Sequence, residues 1–210
     1  MQVENLLATL QKGLADLGED PGSHPCQAYL AYLSLLSQWN KAYNLTAIHG
    51  IDSMLTHHVL DSLAVLPYIQ GIDCLDVGSG AGLPGLILAL ARPQQNWCLL
   101  DSNGKKVRFM KQALLELKIS NARVFHSRIE NYHPESRYST IISRALRPAP
   151  VFYQQVIPLL RGKGRVIVMK GVRPEAELLA LQQAGIAFEL VALRIPGLNK
   201  QRHLVVIDTG

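Results

Sequence analysis

Residues 74–85 read CLDVGSGAGLPG, in which Asp76 is followed by three alternating glycines, Gly78, Gly80 and Gly82, before Pro84 opens the next segment. An apolar run ending in such a loop is a strand giving way to a helix, and the glycines let the backbone turn sharply and leave room for a ligand against the chain. A plain tight turn is the blander alternative, disfavoured by the three glycines and the helix start behind them. Gly80, Gly82 and Gly85 also spell the G-x-G-x-x-G fingerprint of dinucleotide sites. Asp76 weighs against a dinucleotide. A carboxylate two residues before Gly78 attracts a cation directly or through water and repels a pyrophosphate, so the charge fits a sulfonium amino acid, S-adenosylmethionine, better.

Three further positions extend this chemistry. Asp101, 25 positions after Asp76, closes a second apolar run, where a carboxylate accepts hydrogen bonds from both ribose hydroxyls of a nucleoside. A third run ends at HSRIEN, placing Ile129 and Glu130 where an adenine would lie, Ile129 for apolar contact and Glu130 for the exocyclic amine if its side chain points inward. A fourth ends at IISRALRP, which brings Ser143, Arg144 and Ala145 to the same edge, with Arg144 the charge best placed near a reacting group. The alternatives are a solvated Glu130 and an Arg144 spent in a surface ion pair.

These positions share an edge only if the chain is doubly wound. From Ile72 onward, strands at CLDVG, WCLLD, RVFHS, STIIS and RVIVMK alternate with helices beginning near Pro84, Lys105, Pro150 and Pro174, the pattern of βαβ units on a parallel sheet. FELVALRI and HLVVID are separated by a loop too short for a helical crossover and should form a terminal antiparallel pair. Seven strands so arranged predict an α/β, Rossmann-like class I methyltransferase sheet. Before it, Val3–Leu17, Gln27–Trp39 and Ile51–Leu66 carry apolar residues at helical spacing, the last with Asp52 or Ser53 suited to cap it. The expected division is a helical extension over 1–70 and a cofactor-binding domain over 71–210.

The 210 residues suit one α/β domain with an appendage, and 48% hydrophobic against 18% charged residues indicate a packed core. The net charge of +5 is uneven: residues 1–70 hold two basic and six acidic side chains, the remainder 19 basic and 10 acidic. The basic part is where a polyanion would bind. Cys26, Cys74 and Cys98 form no C-x-x-C pair, and the adjacent His57 and His58 point in different directions on a helix, so neither a disulfide framework nor a metal site is expected. No apolar run spans a bilayer and the first residues lack a signal-peptide pattern, so the expected location is cytoplasmic.

Taken together, WNKAYNLTAI (39–48), HHVLDSL (57–63), DVGSGAGLPG (76–85), LLDSNGKKVRFMKQ (99–112), SRIE (127–130), ISRA (142–145), KG (170–171) and RHLVVI (202–207) resemble the small-subunit ribosomal RNA methyltransferase G family, also called glucose-inhibited division protein B. The resemblance runs from about residue 25 onward. It implies methylation of a guanine N7 in 16S ribosomal RNA, with Gly78, Leu83, Ile129, Glu130 and Arg144 contacting S-adenosylmethionine and Asp101 at its ribose. The family often has Lys-Arg where this chain has Lys105 and Lys106. Guanine N7 carries a lone pair and no proton, so no catalytic base is needed and none is expected. The implied partner is 16S ribosomal RNA or a small-subunit assembly particle, met by a monomer with no membrane involvement. The RNA is expected over the cofactor edge, near Lys170, Arg173, Lys200, Arg202 and His203, with Lys105, Lys106, Arg108 and Lys111 as further phosphate contacts.

Overall fold

The computed structural model describes residues 2–144 and 146–210; Ala145, at the end of the ISRA segment, lies outside them. Helix α1 (Gln2–Asp16) buries Leu6, Leu10 and Leu14, one residue per turn along a single stripe. Helix α2 (Cys26–Tyr43) buries Tyr29, Tyr32, Leu33 and Leu36 and stops at Asn44, whose φ of 51° is left-handed. The following loop is pinned by Asn40, whose Nδ2 donates to Thr46 O at 3.0 Å while its Oδ1 accepts from Thr46 N at 2.9 Å.

The third predicted helix is interrupted. It begins as α3 (Ile51–Met54), widens into a π-helical stretch over Leu55–Leu60 and resumes as α4 (Asp61–Leu63). Neither Asp52 nor Ser53 caps it: the chain enters through Gly50 at φ 80°, without a side-chain cap, so Asp52 already stands inside the first turn. The π stretch carries His57 and His58, and such wide turns are often found at functional sites.

Seven strands follow as expected: β1 (Asp73–Val77), β2 (Asn96–Asp101), β3 (Ala122–His126), β4 (Tyr138–Arg144), β5 (Leu160–Lys170), β6 (Glu189–Leu193) and β7 (Arg202–Thr209). Their order across the sheet is β3-β2-β1-β4-β5-β7-β6. The first five are parallel, and β7 inserts antiparallel between β5 and β6. The chain winds outward from β1 to β3 and then crosses to β4 on the other flank of β1. The carboxyl ends of β1 and β4 therefore border the topological switch point, where open α/β sheets bind ligands.

Helices α5 (Gly85–Ala91) and α6 (Gly104–Glu116) cover one face, and α7 (Ala149–Val156) and α8 (Glu175–Gln183) the other. Strand alternation divides the core accordingly: Ile167, Met169, Leu204 and Val206 point to the α5 side, Val166, Val168, Val205 and Ile207 to the α7 side. The helical prefix joins the first of these cores, in which Leu10, Leu33 and Leu36 share a cluster with Leu86, Phe109 and Met110. Among the described residues no helix is long and apolar enough to cross a membrane.

Since Leu33 is wholly buried in that shared cluster, Leu33→Ala should lower the stability of the entire chain by about 2–5 kcal/mol. Denaturation followed by circular dichroism should keep a single transition at a lower midpoint. Loss of only the helical part of the signal, with the sheet melting unchanged, would show that the prefix folds apart from the sheet.

Candidate active site

The glycine loop leaves β1 at Val77 with Gly78, Gly80 and Gly82 at φ 72°, 61° and 85°, a region that side chains with a Cβ rarely enter. A Cβ at Gly78 would also lie 2.9 Å from Leu146 Cδ1. Three side chains from three elements brace the loop. Tyr32 of α2 donates its hydroxyl to Ala81 O at 2.8 Å, Asp101 at the end of β2 accepts from Gly80 N at 2.8 Å, and Asp76 of β1 accepts from Gly85 N at 2.9 Å.

Asp76, expected to attract a cationic ligand directly or through water, lies on the inner side of this loop. It is fully buried behind the loop, lines neither of the cavities described below, and holds the first amide of α5, while its Oδ1 has no partner. Burial pushes its pKa up to about 7, despite the lowering pull of the Gly85 amide, Ser79 and Arg144. Asp101 is where the sequence placed it, on a cavity wall, with Oδ2 on Gly80 N and Oδ1 on Asn103 N, each at 2.8 Å. Each oxygen retains a lone pair for a further donor.

Two cavities meet along Gly78 and Lys106. The first, about 350 Å³, is lined by Asp101, Ile129, Glu130 and Leu146 among others. Ile129 is buried there, but Glu130 is exposed, and its carboxylate accepts from Arg147 Nη2 at 2.8 Å and Gln155 Nε2 at 3.3 Å rather than turning inward. Its own backbone amide first, and then the Arg147 guanidinium with Arg128 nearby, hold the Glu130 carboxyl below the usual range.

The second cavity, about 440 Å³, is bounded by Gly78, Gly80 and Leu83 on one side and by Leu45–Ile48, His57, His58 and Asp61 on the other, with Arg144, Lys170 and Arg202 at the sheet edge. The helical prefix, whose loop with Asn44 and Thr46 the sequence offered either as a cover for the site or as a structural clamp, contributes Thr46, His57, His58 and Asp61 to this wall. Asp61 is 1% exposed, accepts from Arg202 Nε at 2.7 Å and is ion-paired with Arg144 Nη1 at 3.5 Å. His58 lies within 3.0 Å of Thr46 Oγ1 through Nε2, and burial with the Arg144 charge nearby pushes its pKa down to about 4, so it is neutral at pH 7.

Of the cations expected to face a polyanion, several are engaged within the chain. Lys170 is bound to Glu177 at 2.8 Å, Arg173 to Glu175 at 2.6 Å and Arg202 to Asp61. His203 Nδ1 lies 3.1 Å from Gly171 O. Among the described residues Lys105, Lys106, Arg108, Lys111 and Lys200 have no carboxylate partner. Lys105, Arg108 and Lys111 line an open groove of about 570 Å³ with His126 and no acidic residue.

The raised Asp76 pKa makes the stability of the fold depend on pH. Because it stands near 7 in the folded chain against 3.8 ordinarily, the native state holds a proton between those values that the unfolded chain releases, so this group's contribution to stability is lost as pH rises from about 4 through 7. Asp76→Asn keeps an acceptor for Gly85 N and does not titrate. Its stability relative to the parent should rise by a few kcal/mol, roughly, between pH 4.5 and 8 in urea denaturation, and then level off. A difference that is flat with pH would place the Asp76 carboxylate in a solvated or well-paired setting.

Comparison with known proteins supplies the lineage. A family model described as rRNA small subunit methyltransferase G matches residues 25–205. Ribosomal RNA small subunit methyltransferase G of Alkalilimnicola ehrlichii is 45% identical over 98% of this chain and 93% of its own length. The protein of that name from Pseudomonas syringae pv. tomato is 45% identical over 94% of each chain. Two solved structures share the fold at low identity. A SAM dependent methyltransferase from Aquifex aeolicus is 19% identical with a TM-score of 0.59, over 75% of this chain and 93% of its own. Magnesium protoporphyrin IX methyltransferase from Synechocystis, solved with bound SAM, is 12% identical with a TM-score of 0.62, over 85% and 97%. The sheet is thus that of a class I methyltransferase, and with its seven-strand order, its braced glycine loop and a match over nearly the whole length, the chain belongs to the rRNA small subunit methyltransferase G family.

Proposed function

We propose that this chain transfers a methyl group from S-adenosylmethionine to N7 of a guanine in 16S ribosomal RNA. The observation that carries the reading is the pair of cavities joined at Gly78, one bordered by the Asp101 carboxylate and apolar side chains, the other by arginines and the glycine loop. The residues fit the cofactor. The space beside Gly78 that a Cβ would fill is open to a ligand if Leu146 moves aside, and Asp101 has lone pairs for ribose hydroxyls. Ile129 and Glu130 would border the adenine, Glu130 through its backbone because Arg147 and Gln155 hold its carboxylate. Gly78, Gly80 and Leu83 would hold the methionyl part, and Arg144 would face the transfer site.

When bound, S-adenosylmethionine supplies a methyl on a positively charged sulfur, which the N7 lone pair takes as the carbon–sulfur bond breaks and neutral S-adenosylhomocysteine is left. No proton moves, so the chain's task is to align the base and exclude water, which is worth roughly 7–11 kcal/mol in favourable cases. His58 fits that account: neutral at pH 7 and bonded to Thr46, it shapes the wall without serving as an acid. RNA phosphates would lie along Lys105, Arg108 and Lys111, whose charges no carboxylate of the chain neutralises. We infer that the protein acts as a cytoplasmic monomer on the RNA or on a small-subunit assembly particle.

The test is transfer of tritiated methyl to RNA and to small subunits from a strain lacking the enzyme, followed by mapping of the modified atom. Label at a guanine N7 of 16S RNA is the expected result, and label at another atom or in another RNA would overturn the reading. In the same preparations, replacing Lys105, Arg108 and Lys111 together by Gln should reduce the slope of log RNA affinity against log salt by about two. An unchanged slope would move the phosphate contacts elsewhere.

A further inference from the structure

The cavity beside the glycine loop has an uneven wall. Its lining includes Lys106, Arg144, Lys170 and Arg202 but a single carboxylate, Asp61. That carboxylate comes from α4 in the helical prefix, while the two arginines it binds come from the end of β4 and the start of β7. Asp61 accepts from Arg202 Nε at 2.7 Å and pairs with Arg144 Nη1 at 3.5 Å, so one buried group fixes two guanidinium planes that the sheet alone would leave on long side chains. Backbone acceptors complete the hold: Arg144 Nη1 also donates to His57 O at 3.3 Å, and Arg202 Nη1 to Gln201 O at 3.0 Å. What remains on each arginine, Nη2 and on Arg144 also Nε, donates to nothing else among the described residues. The arginine side chains are 26% and 20% exposed, and both line the cavity.

The surplus donors have a chemical meaning for a purine whose N7 must stay free. On that edge guanine offers N7 and the acceptor O6, while adenine offers N7 and a donating amine. Arginine commonly grips guanine through O6 and N7 together, but that grip would block the reacting lone pair. A donor restrained by a carboxylate can take O6 alone. The same donor meets the adenine amine as donor against donor, which leaves a buried polar group unpaired.

We propose that Asp61 is a positioning residue that holds Arg144 and Arg202 as a donor wall for O6 of the target purine, and that this wall sets the preference for guanine over adenine. The proposal rests on the reading that guanine N7 is the methyl acceptor. A synthetic RNA fragment carrying the target nucleotide as guanosine, inosine or 2-aminopurine riboside separates the two ideas, because inosine keeps O6 and loses the 2-amine whereas 2-aminopurine does the reverse. The parent enzyme should methylate guanosine and inosine with kcat/KM values within a few fold and 2-aminopurine about 10- to 100-fold more slowly, the range of one hydrogen bond to a charged donor. In Asp61→Asn the guanosine rate should fall, mostly in kcat, and the ratio of inosine to 2-aminopurine should shrink toward one, while S-adenosylmethionine affinity in calorimetry stays within about threefold, well short of the tenfold that 1.4 kcal/mol represents. If Asp61→Asn does not fold, Arg202→Gln provides the same comparison, and a melting curve accompanies each variant. Equal use of 2-aminopurine and guanosine by the parent, or undiminished discrimination in the variants, overturns the proposal. Methylation of guanosine at an atom other than N7 overturns the reading beneath it as well, and mapping the product distinguishes the two failures.

Discussion

Everything at the carboxyl edge of this sheet depends on how one loop of backbone is held at the end of β1. Gly78, Gly80 and Gly82 adopt left-handed conformations in close succession, which places main chain where side chains would otherwise stand. Such a loop has little apolar surface of its own, so it is kept in place from outside, by the Tyr32 hydroxyl on Ala81 O, the Asp101 carboxylate on Gly80 N and Asp76 on Gly85 N. Each brace comes from a different element, and each replaces hydrogen bonds that water would supply to an open loop. Asp101 then serves two neighbours, the loop and the amide of Asn103, which couples the wall of the first cavity to the start of α6.

The helical prefix has a corresponding part. Its side chains share the apolar cluster of α5 and α6, and its hydroxyl at Tyr32 and carboxylate at Asp61 reach polar groups of the sheet edge. Asp61 would be costly as an isolated buried charge, and two guanidinium groups offset that cost. The reverse also holds: without Asp61, Arg144 and Arg202 would bring two positive charges to one wall with no counter-charge of their own. The π stretch just before Asp61 puts His57 and His58 on the same cavity, so an irregular turn and a buried ion cluster coincide there.

How much of this was legible in the sequence follows from the range of each interaction. The seven strands and the glycine loop were readable because alternation, strand length and turn residues are local properties, and Asp101 and Ile129 followed from their positions at strand ends. Arg144 was correctly placed at the edge, but its partner stands on another element, as does that of Arg202. The direction of Glu130 depended on Arg147 and Gln155, and that of Asp76 on which face of β1 it occupies: it points to the α5 side, as Cys74 does, whereas Leu75 and Val77 point to the other. Periodicity marked a helix over 51–66, which ends at Leu63, without revealing its π stretch, since one widened turn leaves the apolar spacing almost unchanged.

The position of β7 governs the timing of assembly on the ribosome that makes the chain. The strand lies inside the sheet between β5 and β6, yet both of its neighbours are synthesised before it. A nascent chain that has reached β6 therefore has no strand to join it to β5 and leaves the β5 edge unpaired. Asp61, made 141 positions before Arg202, waits through the synthesis of most of the sheet for that partner. A partly made chain would thus present the glycine loop before it could present the complete arginine wall, and the last crossing of β7 would finish the sheet and the cavity beside that loop in one event.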